Sequence, residues 1–442
     1  MSEPTSVSYN LKGWRSLHPV TRRLISTRLL RSIAQGALAV DFTLYLHARS
    51  WSAPEIGFLL MAAGLFGAGL SLLVGVSSDK IGRRFFLLIY EAGLTLATAL
   101  LLFDRSAVVL ILSAVLFGFG RGANGASGPF APAEQAWLAQ HIPGNVRGTV
   151  FSLNAALQFW GMGIGSIFGA FLPHLLPGVT GATAYYPVFA LNLVVAMINF
   201  FQIFTIKEIR VDAPTSDEIK IKDMKDPAMD PTNEIAIHTE KTLRKRENKA
   251  LSFLFIVNSV NSLGVGLVAP LLPYWFSVRY GVGPEAIGPV YGLTFIFTGI
   301  SSLLVGKLSQ KVGLTKSIVL PRLLGIITLI AMPFMPSFTL TAVLYVIRSI
   351  VNRGSMGARQ AFSVSLVGDE RRGLASSLNA VSWNIPAAIG PAIGGWMIGM
   401  GSLFWPFLLA SGLQFAYIVM FSTMMSQFDP QRRHPTPTVA NR

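Results

Sequence analysis

The sequence predicts an all-α membrane protein whose helices cross the bilayer many times. Of its 442 residues, 52% are hydrophobic and only 13% are charged, and the mean hydropathy is +0.53. In soluble domains, about a quarter of the residues are usually charged. Apolar stretches of about twenty residues, long enough to cross a hydrocarbon core of roughly 30 Å as helices, recur along the chain.

Twelve such spans follow one another, six before and six after a polar segment at 207–250. Short loops separate neighbouring spans within each group. In chain order, the spans run at 26–48, 54–75, 84–103, 107–129, 147–171, 185–206, 251–276, 285–306, 316–336, 338–361, 373–399 and 403–425.

The formal net charge of +15 is explained by where the basic residues lie. If the N-terminus is cytoplasmic, the outer loops carry only Arg49, Arg105 and Arg279. The inner connections then carry Lys80, Arg83, Arg84, Arg147, Lys307, Lys311, Lys316, Arg371 and Arg372. This asymmetry is the positive-inside rule and predicts that both termini are cytoplasmic. The charge therefore indicates topology and not a nucleic-acid partner, although the basic termini would favour anionic lipid.

The residue types argue against an enzyme, a metal site and a cofactor. The chain has no cysteine, which excludes disulfides, thiolate chemistry and cysteine-ligated metals. The six histidines lie in loops or near helix ends without metal-ligand spacing. The sequence also contains neither a GxxxxGK(S/T) phosphate-binding loop nor a G-x-S-x-G nucleophile elbow.

The two halves of the chain are internal repeats. The segment SLLVG occurs at 71–75 and again at 302–306, and RGTVFSLNA at 147–155 is similar to RGLASSLNA at 372–380. A pair of parallel six-helix repeats places a binding cavity near the membrane midplane, between the halves. The predicted organisation is a cytoplasmic N-terminal segment (1–25), an N-terminal six-helix bundle (26–206), a cytoplasmic linker (207–250), a C-terminal six-helix bundle (251–425) and a cytoplasmic tail (426–442).

Several motifs resemble those of the major facilitator superfamily. GVSSDKIGRR at 75–84 is similar to the superfamily's loop signature between helices 2 and 3, and RGANG at 121–125 resembles its helix-4 signature. IGPAIGGW at 389–396 contains the glycine-rich signature of antiporters, here in span 11 instead of span 5. The resemblance implies the superfamily's fold, twelve transmembrane helices in two pseudo-symmetric six-helix bundles. Within the superfamily, the chain resembles the drug–proton antiporter branch.

The resemblance gives the loop after span 2 a gating role. Gly75 and Gly82 would permit a tight cytoplasmic turn. Asp79 would face the positive N-terminus of a helix in the opposite half. Such contacts would hold the cytoplasmic side closed in one conformation and separate in the other.

Two arginines complete this loop signature. Arg83 and Arg84 would pair with acids at neighbouring helix ends, and Glu134 is the nearest candidate by sequence position. The alternative is that both arginines serve only as topology signals.

The glycine-rich signature of span 11 has two interpretations. Pro391 weakens the helix between Gly390 and the pair Gly394 and Gly395, which permits a neighbouring helix to approach closely. Small residues of this kind are commonly packing devices, but here they are also candidates for a hinge.

Charged residues within the spans are functional candidates because an unpaired charge at this depth costs several kcal/mol. Asp41 in span 1 is a candidate proton carrier, and the alternative is a structural pair with Arg121 in span 4. The resemblance gives Arg121 a role in proton coupling or in substrate charge. Arg353 in span 10 is the repeat counterpart of Arg121. For Glu91 in span 3, a structural pair with its repeat counterpart Arg322 is favoured over a proton-carrying role.

Polar side chains at similar depth extend the candidate cavity, although each alone more often forms a hydrogen bond between helices than binds a ligand. These residues are Gln35 in span 1, Asn154 and Gln158 in span 5, Asn258 and Asn261 in span 7, and Asn379, Trp383 and Asn384 in span 11.

The sequence favours a secondary active transporter that works by alternating access, with proton-coupled export of a small amphipathic or drug-like molecule. The alternative is uptake or exchange of a small metabolite, anionic if the arginines face it. A receptor or scaffold without transport is disfavoured because the gating loop is intact. The expected partners are a small-molecule substrate, protons and the lipid bilayer. We expect a monomer in a cell membrane, the inner membrane in a prokaryote.

Overall fold

The structure, a computed structural model, describes residues 17–104, 106–119, 128–142, 144–208, 232–312, 314–354, 366–367 and 371–425. The described regular structure is helical. The first half contains α1 (Pro19–Ala48), α2 (Ala53–Ile81), α3 (Arg83–Phe103), α4 (Ala107–Phe117), α5 (Ala131–Gln140), α6 (Gly144–Phe171) and α7 (Tyr186–Phe204). The second half contains α8 (Thr232–Val268), α9 (Leu272–Tyr280), α10 (Pro284–Val312), α11 (Leu314–Ala331), α12 (Phe338–Gly354), α13 (Arg372–Gly399) and α14 (Trp405–Met420).

The predicted all-α membrane class is confirmed. Among the described residues, 6 helices are long and apolar enough to cross a membrane, and three shorter apolar helices accompany them. Further predicted spans, such as α1, carry more polar residues, and the contacts of Arg28, Arg31 and Asp41 of α1 are described below.

Local sequence signals place the first two helix starts. His18 caps α1, because its Nδ1 atom accepts the backbone N–H of Val20 at 3.3 Å, and Pro19 occupies the first turn. At the start of α2, the backbone N–H of Ser52 donates to Glu55 Oε2 at 2.7 Å, as in a capping box. Helix α1 therefore begins seven residues before the predicted span.

The helix of the fourth span ends earlier than predicted, and residues 120–127 of that span lie outside the described residues. Helix α4 ends at Phe117 because Gly118 adopts a left-handed conformation, with φ 76°, which terminates the helix. A separate helix, α5, begins at Ala131. In addition, Gly75 lies inside α2 and not in the turn, so the prediction that it permits the turn is wrong. Gly82 alone makes that turn, with φ 119°.

The predicted linker is partly helical. Helix α8 begins at Thr232 and continues without a break into the seventh span. It ends at Val268, where a 3-10 turn contains Pro270, which has no N–H for the helical ladder. The domain boundaries proposed from the sequence otherwise remain predictions.

Each half has the same close helix contact, as the internal repeat predicts. A Cβ atom added at Gly36 of α1 would clash with the backbone of Met162 in α6. In the C-terminal half, one added at Gly266 of α8 would clash with Ala387 of α13. Gly390 in turn lies against the backbone at Gly266. Glycines at these crossings allow helix backbones to touch directly.

The two halves meet through α2 with α13 and α6 with α10. We call the end that carries the turns at 49–52 and 281–283 the outer end. At Gly395 in the outer part of α13, an added Cβ would clash with the carbonyl oxygen of Ala53 in α2. At Gly288 of α10, one would lie 2.5 Å from the carbonyl oxygen of Ser166 in α6.

An exposed contact also joins the halves at this end. His174 Nε2 lies 3.2 Å from Glu285 Oε2. Together with the glycine contacts, it closes the structure at the outer end.

Closure at the outer end generates a prediction. Gly395→Ala should destabilise this conformation by about 1–3 kcal/mol, because the new methyl group meets the backbone of α2. Gly69→Ala is the matched control, since nothing lies within 4 Å of a Cβ at that position of α2. Thermal unfolding in detergent is the measurement. If Gly395→Ala and Gly69→Ala were equally stable, the close contact of Gly395 with α2 would be wrong.

Candidate functional site

Four charged side chains form a cluster inside the N-terminal bundle. Arg31 of α1 donates from Nε and Nη2 to Glu91 Oε1 of α3, at 2.9 and 2.6 Å. Its Nη1 donates to Glu134 Oε2 of α5 at 2.6 Å. Arg28 Nη1 lies 3.7 Å from the same Glu134 oxygen. We call Arg28, Arg31, Glu91 and Glu134 the ion cluster.

The ion cluster is buried and balanced in charge. The exposed fractions of its four residues are 4, 4, 0 and 3% in chain order. Two guanidinium groups face two carboxylates, which compensates for the loss of water around each charge. Two neutral side chains also contact the arginines of the ion cluster. Gln158 Oε1 of α6 accepts from Arg28 Nη2 at 2.6 Å, and the ring of Tyr90 lies 5.7 Å from the Arg31 guanidinium. The cluster and Gln158 therefore join α1, α3, α5 and α6.

The prediction that Glu91 pairs with Arg322 is wrong. Glu91 is bonded to Arg31, whereas Arg322 Nη1 of α11 donates to Asn261 Oδ1 of α8 at 2.6 Å. Repeat counterparts occupy equivalent places in two different bundles, so a shared register does not bring their side chains together.

Glu134 is also not the partner predicted for Arg83 and Arg84. The backbone N–H groups of these two arginines donate to the carboxylate of Glu208, at 2.8 and 3.0 Å. Glu208 thus lies at the N-terminus of α3, where the helix dipole favours a negative charge. The Arg83 side chain donates from Nη1 to the Ala136 carbonyl oxygen at 3.0 Å.

Asp41 is isolated from the ion cluster. It is 1% exposed in the outer half of α1, and neither carboxylate oxygen has a hydrogen-bond partner among the described residues. Its Oδ2 atom lies 2.6 Å from the position that a Cβ of Gly169 in α6 would occupy. The absence of a side chain at Gly169 is what makes room for this carboxyl group.

Polar candidates of the second half lie between α8 and α13. Asn258 Nδ2 donates to Asn379 Oδ1 at 2.8 Å, and Ser262 donates to the Ser382 carbonyl oxygen at 3.0 Å. The structure therefore brings Asn258 and Asn379 together, and it brings Asn261 to Arg322 instead.

The remaining polar candidates differ in exposure. Asn154 is buried, with its Oδ1 atom unpartnered among the described residues. Gln35 and Trp383 are half-buried, and Asn384 is exposed. Their assignment to a cavity remains a prediction.

Three candidates cannot be placed. Arg121 lies outside the described residues, and so do the side chains of Asp79 and Arg353, whose backbones belong to α2 and α12. Within the described part of the chain, no group of three or more histidine, aspartate or glutamate side chains could hold a metal ion.

The sequence reasoning missed Arg28 and Arg31. The predicted span begins at residue 26, which puts both arginines at a helix end, whereas α1 begins at Pro19. The capping sequence His18–Pro19 was the available signal. Their spacing of three residues also places both side chains on one face of the helix.

The ion cluster generates a second prediction. Glu91→Gln leaves Arg31 without one of its two carboxylates, which should lower the free energy of unfolding by about 3–5 kcal/mol. The double variant Arg31→Gln/Glu91→Gln keeps the charges balanced and should recover part of that loss. Equilibrium unfolding in a denaturing detergent compares these variants.

The control for this experiment is Glu285→Gln, which removes an exposed carboxylate from its contact with His174. It should change stability by no more than about 1 kcal/mol. If the double variant were no more stable than Glu91→Gln, charge balance would not govern the cluster.

Comparisons with known proteins agree with this architecture. The family model of the Major Facilitator Superfamily matches residues 24–246 and 254–442. The chain is 22% identical over 335 residues to an uncharacterized membrane protein of Saccharomyces cerevisiae, covering 72% of this chain and 73% of that protein. It is 23% identical over 397 residues to the multidrug resistance protein MdtG of Escherichia coli, covering 87% of this chain and 86% of that protein.

A solved structure shares the fold. The bacterial homologue of the human lysosomal transporter Spinster, in an inward-facing and unoccupied conformation, superimposes with a TM-score of 0.65 at 17% identity. The alignment covers 96% of this chain and 98% of that one. Since the family model matches nearly the whole chain and the helices adopt this fold, the protein belongs to the Major Facilitator Superfamily and is a membrane transporter, not an enzyme.

Proposed function

We propose that the protein is a proton-coupled exporter of small amphipathic or drug-like molecules, with Asp41 as the group that carries the proton. The observation that carries this proposal is the position of Asp41, buried without a described hydrogen-bond partner at the contact of α1 with α6. An ionised carboxylate in such a place costs several kcal/mol, so binding a proton there has a large energetic effect.

The other buried acids described in the N-terminal bundle are less suited to this role. Glu91 and Glu134 each accept at least one short hydrogen bond from Arg31. Taking up a proton at either residue would break a charge-assisted hydrogen bond and leave a guanidinium group with less compensation. Asp41 has no such bond to lose among the described residues. In this proposal the ion cluster fixes the bundle, and Asp41 changes its charge.

Alternating access requires that the two bundles rock about a site between them. The structure is closed at the outer end by α2 against α13 and by α6 against α10. With both termini in the cytoplasm, as the positive-inside rule predicts, this closed end faces away from the cytoplasm. We propose that a monomer completes the cycle.

The proposed direction of transport and the proposed substrate class rest on similarity to a relative. The Escherichia coli relative is named a multidrug resistance protein, which supports export of drug-like compounds by this chain. Uptake of an anionic metabolite is the competing proposal and would assign the substrate to the intramembrane arginines, Arg121 among them.

The test is transport in proteoliposomes that contain a pH-sensitive dye, with cationic, neutral and anionic compounds offered in turn. The wild-type protein should move protons when a cationic or neutral amphipathic compound is added. Asp41→Asn should reduce this proton movement at least tenfold, because an amide cannot release a proton. Gly169→Ala should also reduce it, since the added methyl group displaces the Asp41 carboxylate.

The matched control is Glu55→Gln, the same chemical change at an exposed position in the first turn of α2. It should leave proton movement unchanged. Full coupling in Asp41→Asn would exclude Asp41 as the carrier. Transport of anions without proton movement, lost in Arg121→Ala, would instead support the competing proposal.

A further inference from the structure

We propose that the C-terminal bundle contains a binding site for a small monovalent anion such as chloride. Its residues are Asn261 of α8, Arg322 of α11, and Gln414 and Tyr417 of α14, which we call the C-bundle cluster. This site is separate from Asp41 and from the ion cluster, and it does not depend on the proposed direction or substrate of transport.

Contacts define the C-bundle cluster. Arg322 Nη1 donates to Asn261 Oδ1 at 2.6 Å, and the Arg322 guanidinium lies 5.2 Å from the centre of the Tyr417 ring. Gln414 precedes Tyr417 by three residues on the same face of α14, and its Cγ atom lies 3.5 Å from where a Cβ of Gly264 would be. Gly264 follows Asn261 by three residues in α8. The four side chains therefore converge where α8, α11 and α14 meet.

All four residues are withdrawn from the surface, with exposed fractions of 0, 2, 1 and 1% for Asn261, Arg322, Gln414 and Tyr417. Yet Asn261 Nδ2, both amide atoms of Gln414 and the Tyr417 hydroxyl have no hydrogen-bond partner among the described residues. Buried polar groups in folded proteins are nearly always paired, so several orphaned groups beside one another indicate a bound species.

The chemistry of the orphaned groups selects the ligand. The Asn261 amide, the Gln414 amide and the Tyr417 hydroxyl each supply a hydrogen-bond donor, and the positive charge of Arg322 lies beside them. A small anion accepts several hydrogen bonds at once and gains from the nearby cation, whereas a metal cation would be repelled. Complete burial favours a single small charge, because each added charge increases the cost of removing water.

The equivalent region of the N-terminal bundle also contains buried hydrogen-bond donors, but there the protein itself supplies their acceptors. Arg322 is the repeat counterpart of Glu91. In the ion cluster, the protein's own carboxylates accept the hydrogen bonds of the donors. In the C-bundle cluster, the amide and phenol donors of Asn261, Gln414 and Tyr417 have no acceptor among the described residues, and a bound anion would accept their hydrogen bonds.

The experiment measures the thermal unfolding of the purified full-length protein in detergent while sodium chloride replaces sodium gluconate at constant ionic strength. Chloride should raise the unfolding temperature along a saturable curve, as expected for a ligand that binds the folded state. Tyr417→Phe and Gln414→Leu each remove a donor and should raise the half-saturating chloride concentration at least fivefold. Tyr417→Phe keeps the ring and tests the site even if Gln414→Leu fails to fold.

Ser411→Ala is the matched control, because Ser411 is a buried hydroxyl on the same helix that already donates to the Phe407 carbonyl oxygen at 2.7 Å. Its response to chloride should equal that of the wild-type protein. A structure determined in bromide should show the anion between Asn261 and Tyr417. A wild-type response that is absent, or that is identical in Tyr417→Phe and Gln414→Leu, would overturn the proposal.

Discussion

The cost of placing charge inside an apolar medium governs the organisation of this protein. A buried ionisable group without a compensating partner in the bundle costs several kcal/mol, because lipid supplies no such partner. Arg28 and Arg31 have such partners in two carboxylates, which tie α1 to α3 and α5. The Gln158 amide oxygen, which accepts from Arg28, ties α1 to α6. Asp41, on the same helix as the two arginines, has no such partner among the described residues. Helix α1 thus carries both the most compensated and the least compensated charges that the structure describes in this half.

Direct backbone contact is the second determinant of the architecture. Without a hydrophobic driving force between membrane helices, association depends on packing and on polar contacts. Glycine supplies the close packing at α1 with α6 and, by the internal repeat, at α8 with α13. The contacts between the halves use the same device, with Gly288 against Ser166 and Gly395 against Ala53. The glycine-rich signature of span 11 therefore serves two neighbours at once: Gly390 faces α8, and Gly395 faces α2.

The sequence predicted the features that follow directly from hydropathy and repetition. Long apolar segments report membrane spans, and the repeat predicted that both halves would pack alike. The sequence does not predict which side chains pair, because the register of a repeat gives no distance between residues of different bundles. Repeat register predicted a pair of Glu91 with Arg322, whereas Glu91 is bonded to Arg31. Proximity along the chain predicted Glu134 as the partner of Arg83 and Arg84, whereas their backbone N–H groups donate to Glu208. The sequence predicts Asp41 within span 1, but its isolation and its contact with Gly169 required coordinates.

Helix α6 connects the proposed proton site to the surface between the halves. Gly169 of α6 faces the Asp41 carboxylate, while Gly163 of the same helix faces Ile296 and Gly292 of α10. Between them, the Ser166 hydroxyl donates to the Gly36 carbonyl oxygen of α1 at 3.0 Å, which fixes α6 against α1. A change of charge at Asp41 therefore acts at the α1–α6 contact, and α6 also forms the contact with α10. In the proposed mechanism this geometry couples proton binding to the closure of the outer end, because one rigid helix belongs to both contacts.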